Sequence, residues 1–149
     1  MLMPLRRYAD FRGRSRRMEF WMFQLLNLIV GSVVVLLIFG GLPFNAMGDP
    51  EGPRLAPDDV GPLFWIGMAL AIIWGLGVLI PSIAVTVRRL HDRDMSGWWY
   101  LGFIVASFIP LLNVVSALAL LVLMVLPGTR GPNRFGPDPL GQADPQVFA

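Results

Sequence analysis

"FWMFQLLNLIVGSVVVLLIF", residues 20 to 39, is a run of 20 residues without a charged side chain. A helix of this length rises about 30 Å, which is the thickness of the hydrocarbon core of a bilayer. The apolar core of a secretory signal peptide is shorter, and the residues that follow this run offer no convincing small-residue cleavage site. The run therefore predicts a helix that spans the membrane and is retained there.

The composition of the whole chain favours the same class of protein. Its 149 residues give room for one domain, and with 55% hydrophobic and 15% charged residues it is too apolar for an ordinary soluble one. The absence of cysteine excludes disulfides, thiolate nucleophiles and cysteine metal sites. A formal net charge of +2, with little soluble sequence to build a basic groove, argues against nucleic acid as a partner.

Two further apolar segments follow the first. The run from Leu63 to Val87 carries no charge and predicts a second span, with a kink at Pro81. Residues 98–126 are also uncharged, but they are too long for one upright span and too short for two full crossings. Pro110 interrupts this third stretch. It is therefore either one tilted, kinked span or a broken hairpin of two short segments, and we favour the hairpin.

The predicted fold class is all-α and integral to the membrane: a small helical bundle with two full spans plus the third long apolar stretch. The predicted parts are a cytoplasmic basic N-terminal segment at 1–19, a multi-pass membrane domain at 20–126 and a Pro/Gly-rich C-terminal tail at 127–149. Within the membrane domain the spans lie at about 20–39, 63–87 and 98–126, the outer acidic loop at 40–62 and the cytoplasmic loop at 88–97.

The placement of the arginines predicts the orientation of the chain. All twelve basic residues are arginines, and six precede residue 18, whereas the first loop holds one. Because basic residues that flank spans are retained in the cytoplasm, we expect a cytoplasmic N-terminus and an external acidic loop. Arg130 and Arg134 favour the cytoplasm for the tail, as the broken hairpin also does.

Three charged motifs lie around the apolar segments. They are "FRGRSRRMEFWMF" at 11–23 (the first motif), "RRLHDRDMSGWW" at 88–99 (the second motif) and "GTRGPNRFGPDP" at 128–139 (the third motif). In this order they resemble the bacterial inner-membrane family called domain of unknown function 805, over about residues 8 to 140. The resemblance implies a small multi-pass inner-membrane protein and brings no established activity, substrate or catalytic residue. The long acidic, proline-rich first loop departs from the family pattern.

The second motif begins where the second apolar run stops, and architecture is its first interpretation. Arginines at this place obey the positive-inside rule, aspartates neutralise them, and the two tryptophans form an interfacial belt. One alternative is a site for an anionic head group or phosphate, which guanidinium groups bind bidentately. Another is a docking site for a protein. Because Asp92 and Asp94 alternate with arginines, we expect them to pair within the motif or with arginines of the other two, and we expect Ser96 to cap the next helix.

The first motif repeats this arrangement, with arginines followed by aromatic residues. We expect Ser15 to cap the first long helix, and Glu19 to pair with Arg16 three residues earlier. In the third motif, residues 133–136 are predicted to form a compact polar turn between prolines. Small residues in the spans, Gly31, Gly67 and Gly75 among them, predict close helix packing.

Nothing in the sequence predicts catalysis. His91 has no spaced nucleophile motif as a partner, the spans contain no acidic residue, and no metal-ligand spacing occurs, so we predict no enzyme, metal or cofactor. The leading hypothesis is a non-enzymatic membrane or interaction protein with an arginine-, aspartate- and tryptophan-rich cytoplasmic face. Its expected partners are the lipid bilayer, anionic lipid head groups and either a second copy of the chain or another membrane protein. The rivals are an anionic lipid or phosphate-binding protein and a small transporter or channel subunit, which requires water-accessible Gln24, Asn27 and Asn113.

The candidate cytoplasmic interface combines residues of all three motifs. Its members are Arg12, Arg14, Arg17, Arg88, Arg89, His91, Asp92, Arg93, Ser96, Trp98, Trp99, Asn133 and Arg134.

Overall fold

The computed structural model describes residues 2–43 and 60–141. Five helices make up most of this part of the chain: α1 (Met3–Arg6), α2 (Arg17–Gly40), α3 (Pro62–His91), α4 (Trp98–Ser107) and α5 (Leu112–Val125). The described ranges contain no strand, only an isolated bridge between Asn133 and Gly136 that closes the predicted turn of the third motif. The all-helical class is confirmed. Most of the predicted outer loop, and the last eight residues of the tail, lie outside the described residues.

Helices α2 and α3 are long and apolar enough to cross a membrane. They have 24 and 30 residues, and only 11% and 6% of the most apolar 18-residue segment of each helix is buried. A core helix of a soluble protein would instead be mostly buried, so these apolar surfaces suit a lipid environment. Both helices extend beyond the predicted spans. α2 begins in the first motif, and α3 runs past Val87 to His91, with Pro81 inside it.

The third apolar stretch is a broken hairpin, as favoured, and not one kinked helix. Helices α4 and α5 pack against each other and are joined by a turn that contains Pro110 and Leu111, whose φ is 71°. The Asn113 side chain donates a hydrogen bond to the Ser107 carbonyl at 2.9 Å across this turn. The helices have 10 and 14 residues, so each rises only about 15 to 21 Å.

The chain divides into two compact units, of which the second comprises Leu25–Leu79. In this unit the Gly61 N–H donates to the Gly41 carbonyl at 2.9 Å. A Cβ at Gly67 would lie 2.7 Å from Ile38 Cγ1 and 2.9 Å from Ile38 N. The predicted close approach is therefore present at Gly67. It is absent at Gly75, and at Gly31, where no described atom would lie within 4 Å of an added Cβ.

The first unit, Met1–Gln24 with Ile80–Ala149, contains all three motifs. Backbone hydrogen bonds connect them: the Ser15 N–H donates to the Arg88 carbonyl at 3.1 Å, and the Thr129 N–H donates to the Asp92 carbonyl at 2.8 Å. An apolar core supports these contacts. Its buried members are Phe20, Phe23, Ala84, Val85, Leu90 and Met124.

Candidate functional site

Five charged residues from the first two motifs form a buried group, which we call the charge cluster: Arg14, Glu19, Arg88, Arg89 and Asp92. Arg88 and Arg89 are fully buried, and Arg14 and Asp92 are 6% and 4% exposed. An unpaired buried charge costs several kcal/mol, so such residues are found inside a protein only with partners. Asp92 comes directly after α3, and the last turn of this helix carries two of the five. Its side chains are paired inside the unit, which explains why the helix continues beyond the predicted end at Val87.

Asp92 is the centre of the charge cluster. Its Oδ1 accepts a hydrogen bond from Arg14 Nε at 2.9 Å, and its Oδ2 accepts one from Arg89 Nη1. The other nitrogens of Arg14 donate to the carbonyls of Thr129 and Gly131. Arg14 therefore links all three motifs. The pairing of Asp92 with an arginine of another motif, expected from the sequence, is present.

Glu19 forms the second ion pair of the cluster, and two sequence expectations are wrong here. Its Oε1 lies 3.2 Å from Arg88 Nη2, while its Oε2 accepts a hydrogen bond from the Ser15 hydroxyl at 2.9 Å. Ser15 thus bonds a side chain and does not cap the backbone of α2. Arg16, the expected partner of Glu19, donates from Nε to the Pro139 carbonyl instead. Tertiary contacts replace the local pair because the third motif lies beside the first.

Three arginine side chains donate hydrogen bonds to backbone carbonyl groups at the end of α5. Arg89 Nη2 donates to the Leu126 carbonyl, Arg17 Nη1 to the Val125 carbonyl at 3.4 Å, and Arg93 Nη1 to the Pro127 carbonyl. The last carbonyls of a helix have no partner within the helix and carry partial negative charge, so cations stabilise them. The end of the hairpin is thereby fixed beside the second motif.

Residues of the second and third motifs also form an exposed group at the surface of the unit, which we call the rim. Asp94 pairs with Arg134 at 3.1 Å, with both side chains about half exposed. Phe135 stacks on His91 at 4.0 Å between ring centroids, and the Asn133 amide donates to the His91 carbonyl at 2.9 Å. His91 is thus held by packing and hydrogen bonds to the tail. No group of three metal-ligating side chains occurs in residues 2–43 and 60–141.

Asp138 closes the loop of the third motif on itself. Its carboxylate accepts hydrogen bonds from the backbone N–H groups of Leu140, at 2.9 Å, and Gly131, at 3.0 Å. These bonds stabilise the ionised form and lower the pKa of Asp138 below its usual value. The side chain is half-buried, and it fixes the loop without belonging to the buried cluster.

The candidate interface of thirteen residues divides into a buried and a surface set. Four members, Arg14, Arg88, Arg89 and Asp92, are buried and paired with each other or with Glu19, so they lie inside the unit and not on its surface. Carboxylates inside the unit neutralise these arginines: Asp92 pairs with Arg14 and Arg89, and Glu19 pairs with Arg88. The remaining members are exposed or half-buried: Arg12, Arg17, His91, Arg93, Ser96, Trp98, Trp99, Asn133 and Arg134.

Ser96 only partly fulfils its expected role. Its hydroxyl lies 3.4 Å from the Trp98 N–H, and the residue at the N-cap of α4 is Gly97. The sequence reasoning also omitted Arg16 and Arg130 from the surface set, although both are exposed. The available signal for Arg130 was its position four residues after the end of an apolar run.

A comparison with known proteins assigns the family. The model of a family described as "Protein of unknown function (DUF805)" matches residues 8–137. The chain belongs to this family. It is 37% identical to inner membrane protein YhaI of Escherichia coli strain K12 over 141 residues, which cover 93% of this chain and 92% of the relative. It is 38% identical to inner membrane protein YhaH of the same organism over 138 residues, with 93% of each chain covered.

A more distant relative is the E. coli protein YiiR, described as uncharacterized, with 27% identity over 149 residues and coverage of 87% and 85%. No solved structure matches the chain. Together with the two apolar helices, the relatives confirm the resemblance that the three motifs indicated and establish a member of a membrane protein family.

Proposed function

We propose that this DUF805 family member is a non-enzymatic, multi-pass inner-membrane protein whose cytoplasmic face docks on anionic lipid head groups. The observation that carries the proposal is the position of the exposed arginines. They lie on the same unit as the start of α2, the end of α3 and both ends of the hairpin. Anionic head groups attract arginines beside membrane helices by about 1 kcal/mol each. Trp98 and Trp99, which are 77% and 57% exposed, have the properties of interfacial anchors.

The proposed topology has two full spans and a re-entrant hairpin. Helices α2 and α3 are long enough to cross about 30 Å of hydrocarbon, whereas α4 and α5 each reach only part of the way. A hairpin that enters and leaves on one side places the second and third motifs on the same face of the membrane. With the N-terminus in the cytoplasm, that face is cytoplasmic.

The polar contacts favour docking over transport or catalysis. The Ser116 hydroxyl donates to the Asn113 carbonyl at 2.9 Å, and Asn113 itself bonds the turn of the hairpin. These groups serve the local backbone, whereas a water path requires polar groups that face it. The charge cluster is likewise occupied with its own ion pairs. The only histidine is stacked on Phe135.

Single cysteines test the topology directly, because the chain has none of its own. We expect cysteines at Asp10, Asp94 and Leu140 to react with a membrane-impermeant thiol reagent only after the cytoplasmic side is opened. A cysteine at Asp58 should react from outside. Phe108→Cys at the tip of the hairpin should react from neither side. External labelling at Asp94 would contradict the proposed topology, and labelling of Phe108→Cys from outside would show that the hairpin crosses.

Copurification tests the docking. After gentle solubilisation of membranes, mass spectrometry of lipids and proteins should show anionic phospholipid enriched over the bulk composition. A stoichiometric protein partner without lipid enrichment would instead assign the face to protein docking, and labelling of Asn113→Cys through water would favour a channel.

A further inference from the structure

A cavity of about 500 Å³ lies in the first unit, between the N-terminal end of α2 and the third motif. The charged residues of its lining are Arg14, Arg16, Arg17, Arg130, Asp92 and Asp138. The lining therefore has a formal charge of +2. Its position follows from the chain: α2 begins at Arg17, and α5 ends at Val125, a few residues before Arg130. The cavity thus lies where apolar helices meet polar loops.

The arginines of this cavity differ in how many donors they have left. Each guanidinium carries five N–H donors. Arg14 uses all three of its nitrogens on Asp92 and on tail carbonyls. Arg16 and Arg17 each make one hydrogen bond to a carbonyl group. Arg130 is exposed and makes no side-chain hydrogen bond or ion pair with any residue that the structure describes. Three guanidinium groups therefore keep free donors around one space.

The two carboxylates of the lining offset only part of the positive charge of its four arginines. Asp92 is already bonded to Arg14 and Arg89, and both oxygens of Asp138 accept backbone N–H groups. Neither carboxylate forms an ion pair with Arg16, Arg17 or Arg130, although Arg16 adds to the backbone hydrogen bonds from Leu140 and Gly131 in lowering the pKa of Asp138. In addition, the first turn of α2 forms part of the wall, and the N-terminal end of a helix favours an anion.

We propose that this cavity binds one phosphate group, with Arg16, Arg17 and Arg130 as its ligands. Guanidinium groups match phosphate oxygens with paired hydrogen bonds, and the position at the end of two apolar helices is that of a lipid phosphate. The inference rests on the proposed docking function, which it narrows from a general surface to a defined site. A phospholipid head group and a soluble phosphate share this chemistry, and the experiment separates them.

The test uses the full-length protein in a neutral detergent and follows its thermal unfolding. The probes are phosphatidylglycerol, phosphatidylcholine and inorganic phosphate. The variant is Arg130→Gln, because it removes a charge without breaking a hydrogen bond of the protein. The matched control is Arg12→Gln, which removes the same charge from an exposed residue of the first motif outside the cavity. Arg17→Gln provides a second variant of the site.

We expect phosphatidylglycerol, and not phosphatidylcholine, to raise the unfolding temperature of the wild type. Arg130→Gln should weaken the apparent affinity about fivefold more than Arg12→Gln does, the equivalent of about 1 kcal/mol, because Arg12 contributes only the general attraction of the face. If inorganic phosphate reproduces the effect with the same dependence on Arg130, the site is supported with a soluble ligand.

Equal losses in Arg130→Gln and Arg12→Gln would overturn the site and leave general docking intact. The absence of any difference between the two lipids, and of any response to phosphate, would overturn both. Binding of a copurified protein that depends on Arg130 while the lipid response does not would also overturn the phosphate site.

Discussion

Asp92 and Asp94 stand two residues apart in the second motif, yet they occupy opposite surroundings. The Asp92 side chain is 6% exposed and pairs with two buried arginines, whereas the Asp94 side chain is 48% exposed and pairs with Arg134, which is 61% exposed. Helix α3 ends at His91, and Asp94 has a φ of 59°, so the chain turns between the two carboxylates. An aspartate therefore forms buried ion pairs in one case and an exposed ion pair in the other.

This difference indicates which ion pairs of the charged motifs contribute to the free energy of unfolding. Removal of one partner from a buried ion pair leaves an uncompensated charge, which costs about 3 to 5 kcal/mol. An exposed pair in water contributes about 0 to 1 kcal/mol. Alternating charges in a sequence consequently say little about stability until the burial of each is known.

The largest effect should come from Asp92→Asn. This change leaves the buried guanidinium groups of Arg14 and Arg89 without their carboxylate, and we expect a loss of about 3 to 5 kcal/mol in the free energy of unfolding. Asp94→Asn is the matched control and should cost less than about 1 kcal/mol. Thermal unfolding of both variants in the same detergent gives the measurement. Similar losses for the two would remove the distinction between interior and rim.

Gly128→Ala tests the packing of the third motif against the charge cluster. A Cβ at this position would coincide with the Asp92 carboxylate, so the tail must move away from the charge cluster. We expect a cost of about 1 to 3 kcal/mol. The control is Gly102→Ala in α4, where an added Cβ has no atom within 4 Å and alanine favours the helix. Unfolding temperatures that rise in both variants would show that the tail is not packed on Asp92.

Gly67→Ala extends the comparison to the second unit, whose described residues carry no charge. The added Cβ would lie within 3 Å of two Ile38 atoms, one of them in the backbone. Part of the steric cost is offset because alanine stabilises helices by up to about 1 kcal/mol over glycine. We expect a net loss of about 1 kcal/mol. In Gly75→Ala, where space is free, the helix gain alone remains, so this control should be stabilised.

The smallest expected effect is a loss of local stability at acidic pH in the loop that Asp138 closes. Because the pKa of Asp138 is lower in the folded protein than in the unfolded chain, its contribution is complete above the unfolded value of about 3.9 and disappears as the pH falls through the folded value. Exchange of the Gly131 and Leu140 amide hydrogens, corrected for the intrinsic dependence on pH, should therefore accelerate below about pH 4. Asp138→Asn should lack this added dependence. An identical pH profile in the variant would contradict the role of the carboxylate.

The apolar framework could be predicted from the sequence, because length and hydropathy act locally. Uninterrupted apolar runs located α2 and α3, and Pro110 identified the break between α4 and α5. Sequence alone did not give the ends of the helices. Arg88 and Arg89 look like the start of a polar loop, and they are helical because Glu19 and Asp92 neutralise them.

The sequence predicted which residues belong to the candidate site, but it did not predict how they are arranged. The motifs indicated that aspartates pair with arginines, but not which pairs are buried. That information depends on contacts between residues far apart in the chain, such as Arg14 with Asp92 and with the Gly131 carbonyl. Local rules also misassigned Glu19 to Arg16, since spacing along a helix cannot report a closer partner from another segment.

Two double-mutant cycles test the central claim, that the buried charges hold the three motifs together while the rim does not. One cycle combines Arg14→Gln with Asp92→Asn, and the other combines Arg134→Gln with Asp94→Asn, with unfolding measured in one detergent. We expect a coupling energy of about 2 kcal/mol or more for the inner pair and below about 0.5 kcal/mol for the outer pair. An inner coupling no larger than the outer one would contradict the account.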